Sequence, residues 1–364
     1  MNMPLYRCDL QPVLGDAGNR GLWYSRFFNS YAGDWTIPDD GKRQWVSDNA
    51  KRTGQQEMLQ MAALRQLNLI TALNGRGSVF KTDWHFATGL GLPHPVENGL
   101  AWHHTLGVPY LAGSGVKGLV KAWVEVWDES QSDDETRKKR CDDWFGTTEK
   151  AGNFIFFDAL PIEPVLLTPD VMTPHMAKWY EQGGKISDWQ KEPDKVPADW
   201  HAPVPVPFLV VKEAKLLFGI APRTEKSADQ LPKVFEALKQ ALDWLGAGAK
   251  TAVGYGRMVE DPSKTAHLTE EISKVAAKAE ISKLSPEQQE LRALHERFAA
   301  DQKRGAREAG GELIGKTNQL LKEGLNWPVA DRQALATLVE AIFSYIGWGN
   351  KKKERKEKIA ALRG

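Results

Sequence analysis

The residues best suited to chemistry fall in the stretch Leu245 to Arg257, which reads L-G-A-G-A-K-T-A-V-G-Y-G-R. Gly246, Gly248, Lys250, Gly254 and Gly256 follow the spacing G-x-G-x-K-x-x-x-G-x-G. Glycine permits positive φ and lets main-chain amides approach another chain with no Cβ in the way. Successive N–H groups in such a turn form a concave anion site, and one lysine adds a point charge. The alternative is a tight helix-to-strand turn that merely needs glycine. Two familiar nucleotide motifs do not fit. A P-loop needs glycine before its Lys-Thr pair, but Ala249 precedes Lys250 and Thr251. A dinucleotide fingerprint needs a third glycine where Thr251 or Val259 stands. Both motifs also follow a strand, whereas this stretch follows a helical pattern. An extended phosphate backbone suits it better than a mononucleotide.

A second glycine-lysine loop runs Gly113-Ser114-Gly115-Val116-Lys117-Gly118. Val116, Leu119, Val120, Trp123 and Trp127 then recur at helical spacing. Ser114 reads as the N-cap, and the free amides and dipole of the helix start make a phosphate site with Lys117 in its first turn. An ordinary capped helix is the alternative. His85, His94, His103 and His104 lie within twenty residues and invite general acid-base chemistry, although single histidines on strands are commonly structural. His175 reads as a hydrogen-bonded structural residue. The chain has no helical His-x3-His pair and no CxxC, so a zinc site is not expected. Asp142, Asp143 and Asp158 make an acidic cluster only if the fold joins them.

These stretches sit in a chain of 364 residues, 41% hydrophobic and 26% charged, with a net charge of +1. That is room for one large domain or two smaller ones. Near-neutral charge excludes a protein that coats itself in nucleic acid but allows a local basic stripe. Two cysteines, Cys8 and Cys141, argue against a disulfide framework and for a reducing cytoplasm. No signal peptide opens the chain, and it holds no run of eighteen apolar residues. Fourteen tryptophans are either base-stacking platforms or core.

Residues 1–54 are aromatic and aperiodic, with Tyr24, Arg26, Phe27 and Phe28 forming either a docking arm or a packed flap. Residues 55–70 predict a helix with Met58, Met61 or Ala62, Leu64 or Arg65, and Leu69 near one face. Val79–Ala87 predicts a strand. Residues 128–140 read as a charged mobile linker, and Asn153–Phe157 as a short strand. Residues 160–203, rich in proline, read as an irregular insertion. Val204–Val211 and Ala214–Ile220 predict two strands, with Pro205 and Pro207 placing the first at an edge. Ser227–Leu245 predicts a helix with Val234, Leu238, Leu242 and Leu245 inward. The order strand, helix, strand, strand, helix, strand is that of a ferredoxin-like unit, the frame of the module that reads RNA on its sheet. The domain boundaries expected are an N-terminal segment packing on the core over 1–78, the core over 79–262, and a helical C-terminal extension over 266–364. In that extension the apolar stripe from Leu335 to Ile346 is a candidate partner interface. The basic tail Lys351–Lys358 reads as a solvated helix end.

Three segments together resemble a known family: Gly107-VPYLAGSGVKGLVKAW ending at Trp123, Phe157-DALP with Asp170-VMTPHMAKWY, and Leu245-GAGAKTAVGYGRM. Over residues 75–260 the chain is similar to RAMP-superfamily proteins of type III CRISPR effector complexes, and within them to the sixth-subunit family of the Cmr (type III-B) complex. The resemblance implies an α+β fold with a ferredoxin-like (RRM-like) RAMP core and insertions. It implies a protein that binds the CRISPR guide RNA near its 3′ end, at the head of the filament of backbone subunits. Its partners would be the neighbouring RAMP subunits, the small helical subunit and, indirectly, the target RNA. By the same resemblance it carries no nuclease centre and needs no cofactor. Guide contact is carried over to Gly113, Ser114, Lys117, Gly248, Lys250, Thr251, Gly254, Tyr255 and Gly256. The insertion over 160–203 matches a protrusion toward the guide–target duplex. A metal-independent RAMP-type endoribonuclease that processes CRISPR RNA is the alternative, with His103 and His104 as its candidate groups.

Overall fold

The protein is described here by a computed structural model, covering residues 13–16, 18–127, 133–198, 200–307, 311–348 and 353–364. Its contacts divide the chain into two units, Met1–Ile272 and Ser273–Gly364. Cys8 lies outside the described residues.

The first unit begins with α1 (Arg20–Arg26), α2 (Asp39–Asn49), the two-residue β1 (Arg52–Thr53) and α3 (Gln56–Ala72). It continues with β2 (Arg76–Thr82), α4 (Gly113–Val126), α5 (Asp134–Phe145), β3 (Phe154–Phe156) and β4 (Leu160–Pro161). Next come β5 (Val165–Met172), α6 (Ala177–Gln182), β6 (Val206–Glu213) and β7 (Lys215–Pro222). Helix α7 (Leu231–Trp244), β8 (Met258–Glu260) and α8 (Pro262–Lys283) close the run.

The larger sheet runs β3-β7-β2-β8, with β4 also pairing β7, and every pairing is antiparallel. Strand β7 is buried from Leu216 to Pro222 with no alternation, because both sheet faces are covered. On one face Phe80, Phe218 and Ile220 pack with Val234, Phe235 and Leu238 of α7 and with Val116 and Val120 of α4. On the other, Val79 and Leu217 meet Ala63 and Leu67 of α3 and Leu268 of α8. Gly77 and Gly219, paired across β2 and β7, allow α3 this approach: a Cβ on either would strike Leu67 or Ile70. The Thr265 hydroxyl accepts from the Val79 amide at 2.9 Å and ties the start of α8 to the same face. The sheet face that an RNA-recognition module would present is therefore closed.

The smaller sheet runs β1-β5-β6, and β6 is its edge, where Pro207 pairs Val171 without the need to donate. Residues 165–172, expected to be irregular, thus form an eight-residue strand. Their prolines hid it: Pro164 precedes β5 and Pro169 interrupts its donors. Between β5 and β6 the chain carries α6 and short 3-10 turns. The expected linker is helical from Asp134, capped by the Asp133 carboxylate on the Thr136 amide at 2.7 Å. Residues 128–132 lie outside the described residues. The expected strand over Val79–Ala87 ends at Thr82 and resumes only as the Phe86–Val211 bridge. The inward face of α3 is Leu59, Ala62, Ala63, Leu67 and Ile70, while Met58, Met61 and Leu69 are exposed. A helix apolar on most sides leaves its phase open in the sequence. Tyr24, Phe28 and Trp45 lie in the main core, so this aromatic cluster is packed.

The second unit comprises the rest of α8, α9 (Pro286–Arg304), α10 (Glu312–Glu323), α11 (Val329–Tyr345) and α12 (Lys353–Arg363). Ser285 and Gln288 form a capping box at the start of α9. Leu335, Val339, Ile342 and Phe343 are buried against Leu294, Phe298, Leu313 and Leu320. The apolar stripe expected to meet a partner is this unit's own core.

Candidate nucleic-acid interface

The chain leaves α7 at Trp244 and folds back on itself. The Gly246 amide donates to the Ala241 carbonyl at 3.0 Å, and the Ala247 amide to the Gly256 carbonyl at 2.8 Å. The turn then docks on residues 85–87: the Ala249 amide donates to the Ala87 carbonyl and the Gly256 amide to the His85 carbonyl, both at 2.7 Å. Gly246, Gly248, Lys250, Gly254 and Gly256 all have left-handed φ, between +59° and +90°. A Cβ on Gly246 would lie 2.5 Å from the Tyr255 carbonyl oxygen; on Gly248 it would overlap the Ala87 carbonyl, and on Gly256 the Ala247 carbonyl. Those three glycines answer to the protein's own main chain. The expectation that Gly248 makes room for a ligand is corrected here, because the space beside its Cα is filled by Ala87. Gly254 alone of the four has open space around it.

What remains for a ligand is the crest of the turn. Among the described residues no hydrogen bond takes up the amides of Gly248, Lys250 or Thr251. Lys250 enters no salt bridge among the described residues, and its Nζ lies 5.7 Å from the Phe208 ring and 5.9 Å from the Tyr255 ring. Unengaged amides beside left-handed residues, with one ammonium group, are the elements of an anion nest.

Below the crest lies a network that the sequence reading missed. The Tyr255 hydroxyl donates to Asp170 Oδ2, and His85 Nδ1 sits 3.2 Å from the same oxygen. Burial pushes the Asp170 carboxyl up, but hydrogen bonds from Tyr255, the Val171 amide and His85 outweigh it and hold the group below the usual carboxylate range. Burial, then the bond to Asp170, raises the Tyr255 phenol well above its ordinary value. Arg257 joins the turn to its surroundings, 2.8 Å from Asp83 and 2.8 Å from Asp243. Trp84 stacks on the His85 ring at 4.5 Å between centroids and 17° between planes. Asp170 lies in the stretch expected to be irregular, and no local signal pairs it with residue 255.

The second turn is built differently. The N-cap of α4 is Ala112 and makes no side-chain cap, so Ser114 is the second helical residue and not the cap expected. The Gly113 amide donates to Asp158 Oδ1 at 2.6 Å, and that carboxylate already meets the positive end of the helix. Ser114 and Lys117 are exposed, with Lys117 beyond the first turn. Among the described hydrogen bonds none joins Gly113–Lys117 to the 245–257 turn.

The histidines are dispersed. His94 Nε2 lies 2.8 Å from the Tyr24 carbonyl, and its ring stacks on Tyr24. His103 Nδ1 accepts from the Leu106 amide at 3.3 Å, and burial lowers the pKa of its ring. His104 is exposed. Among the described residues no group of three or more His, Cys, Asp or Glu is placed to hold a metal, and Asp158 serves α4 instead. Among those residues no helix is long and apolar enough to cross a membrane. Burial raises the Cys141 thiol to about 11, as in a structural cysteine.

Known proteins carry the same pattern. The model of the RAMP superfamily matches residues 79–259. The chain is 29% identical over 249 residues to the CRISPR system Cmr subunit Cmr6 of Pyrococcus furiosus, covering 53% of this chain and 69% of that one. It is 32% identical over 84 residues to Cmr6 of Saccharolobus solfataricus, covering 22% of this chain and 27% of that one. A chain in the cryo-EM structure of a type III-B Cmr-beta complex bound to cognate target RNA overlaps 60% of this chain and 71% of its own length, at 20% identity and a TM-score of 0.43. The crystal structure of Pyrococcus furiosus Cmr6 overlaps 51% of this chain and 97% of its own length, at 26% identity and a TM-score of 0.32. Overlaps that loose leave the assignment to the sequence matches. The family's model begins within β2 and ends within β8, enclosing both glycine-lysine turns, and residues 79–259 are a RAMP-superfamily region in a chain similar to the Cmr6 subunits.

Proposed function

We propose that this RAMP protein is a non-catalytic, RNA-binding and assembly subunit of a type III-B CRISPR effector complex, holding the guide RNA near its 3′ end in the cytoplasm. The match to Cmr6 through 69% of that subunit carries the reading. Neighbouring RAMP subunits and the small helical subunit would be its protein partners, and the target RNA would be met only through the guide. The crest amides of Gly248, Lys250 and Thr251, with no carboxylate paired to Lys250 among the described residues, support a phosphate contact there. The larger sheet supports a ferredoxin-like core: its chain order is strand, helix, strand, strand, helix, strand, and its strand order β3-β7-β2-β8 is that of a split βαβ unit. With one sheet face under α4 and α7 and the other under α3 and α8, an RNA strand is left to the turns.

Salt dependence of guide binding tests this. In the assembled complex, Lys250→Ala should lower the slope of log K against log salt by about 0.7 unit, the share of one single-strand phosphate contact, and Lys117→Ala should do the same. An unchanged slope in the double variant would remove both sites.

One observation favours a second reading, a metal-independent endoribonuclease. His85, Asp170 and Tyr255 form a hydrogen-bonded group beside Lys250, a constellation of acid, base and cation. The binding reading is preferred because Asp170 engages both the phenol and the imidazole. Incubation of the purified chain with CRISPR repeat RNA in metal-free buffer should leave the RNA intact. Cleavage that disappears in His85→Ala, or in His103→Ala with His104→Ala, would establish the enzyme instead.

A further inference from the structure

We propose that Trp84 is a stacking platform for one unpaired base of a single-stranded RNA whose phosphates lie on the 245–257 turn. The proposal rests on the reading of that turn as a phosphate site. Trp84 is 57% exposed, one of six described tryptophans more than half exposed, and it is set apart by its flat stacking on the His85 ring at the edge of the turn. It is also held still. On one side the Asp83 amide donates to the Arg257 carbonyl at 3.0 Å, and the Asp83 carboxylate pairs with the Arg257 guanidinium. On the other, the His85 carbonyl accepts from the Gly256 amide. The indole lies flat on an imidazole that Asp170 fixes from beneath. Neighbours follow in short steps toward the crest: 4.5 Å from Trp84 to His85, 5.7 Å from His85 to Tyr255, and 5.9 Å from Tyr255 to Lys250 Nζ.

A fixed aromatic face next to main-chain donors and a lysine has the two parts of a single-strand site. Donors and cation take the phosphates, and the ring takes a base whatever its identity. A duplex would not fit this use, since its bases are already stacked on one another. Nor does a protein partner suit the surface, because Asp83 and His85 adjoin Trp84 in place of further apolar area. Trp244 is 76% exposed and also adjoins an Arg257 ligand, Asp243, but no ring supports it among the described residues.

The test uses the purified full-length chain at low ionic strength with two labelled strands, a single-stranded oligoribonucleotide and an abasic ribose-phosphate strand of equal length. Trp84→Ala should weaken binding of the base-bearing strand about tenfold, and Trp84→Phe should restore most of it. Neither should alter binding of the abasic strand or the salt slope. Lys250→Ala should weaken both strands. Trp244→Ala should leave both within twofold of the original chain. If Trp84→Ala binds the base-bearing strand as the original does while Lys250→Ala still loses both, the platform is refuted and the phosphate site stands. An equal loss on both strands, or an equal loss in Trp244→Ala, also overturns it. If the original chain binds neither strand and Lys250→Ala changes nothing, the phosphate reading falls and the platform falls with it.

Discussion

Gly256→Val should lower the unfolding free energy by about 3–5 kcal/mol, read as a shift in the denaturant midpoint with the slope unchanged. Two costs add. The residue has φ +76°, where a side chain carries a penalty of about 1–2 kcal/mol. Its Cβ would also overlap the Ala247 carbonyl, and main chain on both sides leaves no room to yield. Gly248→Val should behave similarly against the Ala87 carbonyl, so loss of RNA binding in that variant would report a damaged turn and not a blocked ligand. Gly254→Ala is the comparison. Its φ is +90° but nothing lies within 4 Å, so only the conformational cost of about 1–2 kcal/mol applies. Equal losses at 254 and 256 would show that close approach is not what demands glycine.

Asp170→Ala should cost about 2–3 kcal/mol, because it strands the Tyr255 hydroxyl, whose residue is 8% exposed, without an acceptor. Tyr255→Phe removes the donor instead and leaves Asp170 with the Val171 amide and His85, for a loss of about 1 kcal/mol. The pH dependence follows from the sign of the shift. The folded carboxyl lies below 3.8, so it stays ionised in the fold at pH values where the unfolded chain takes up a proton. Its contribution is therefore complete above about pH 4 and disappears as pH falls through the depressed folded value. Denaturation from pH 6 to 3 should show a shallower acid loss in Asp170→Ala than in the original chain. Parallel curves would mean that the carboxylate is not stabilised by these partners.

Local pattern carried much of the fold. The inward positions Val234, Leu238 and Leu242 of α7 follow the 3.6-residue period, and all three are buried. Ser285-Pro286 and Trp327-Pro328 stand where α9 and α11 begin, because proline suits a helix's first turn and the position before it. Strand β5 escaped, since Pro169 masked a strand whose donors face an edge partner only in part. Helix α3 was found, but its inward face was not, because methionine and leucine on its outer side mimic a core stripe. Ser114 looked like a cap because a serine before an apolar period usually is one; here the carboxylate of Asp158, 45 residues beyond Gly113, takes the Gly113 amide instead.

By itself, the amino-acid order determined the bodies of α3, α4 and α7, that a glycine-lysine turn joins α7 to β8, and which family the chain resembles. These follow from backbone preference and from spacing along one segment. Tertiary structure alone decided what the turn's glycines are for, and it joined His85, Asp170 and Tyr255 across three separate segments. It also decided that α3 and α8 close the sheet face. Such contacts depend on pairings between residues far apart in the chain, whose free energy no local window contains.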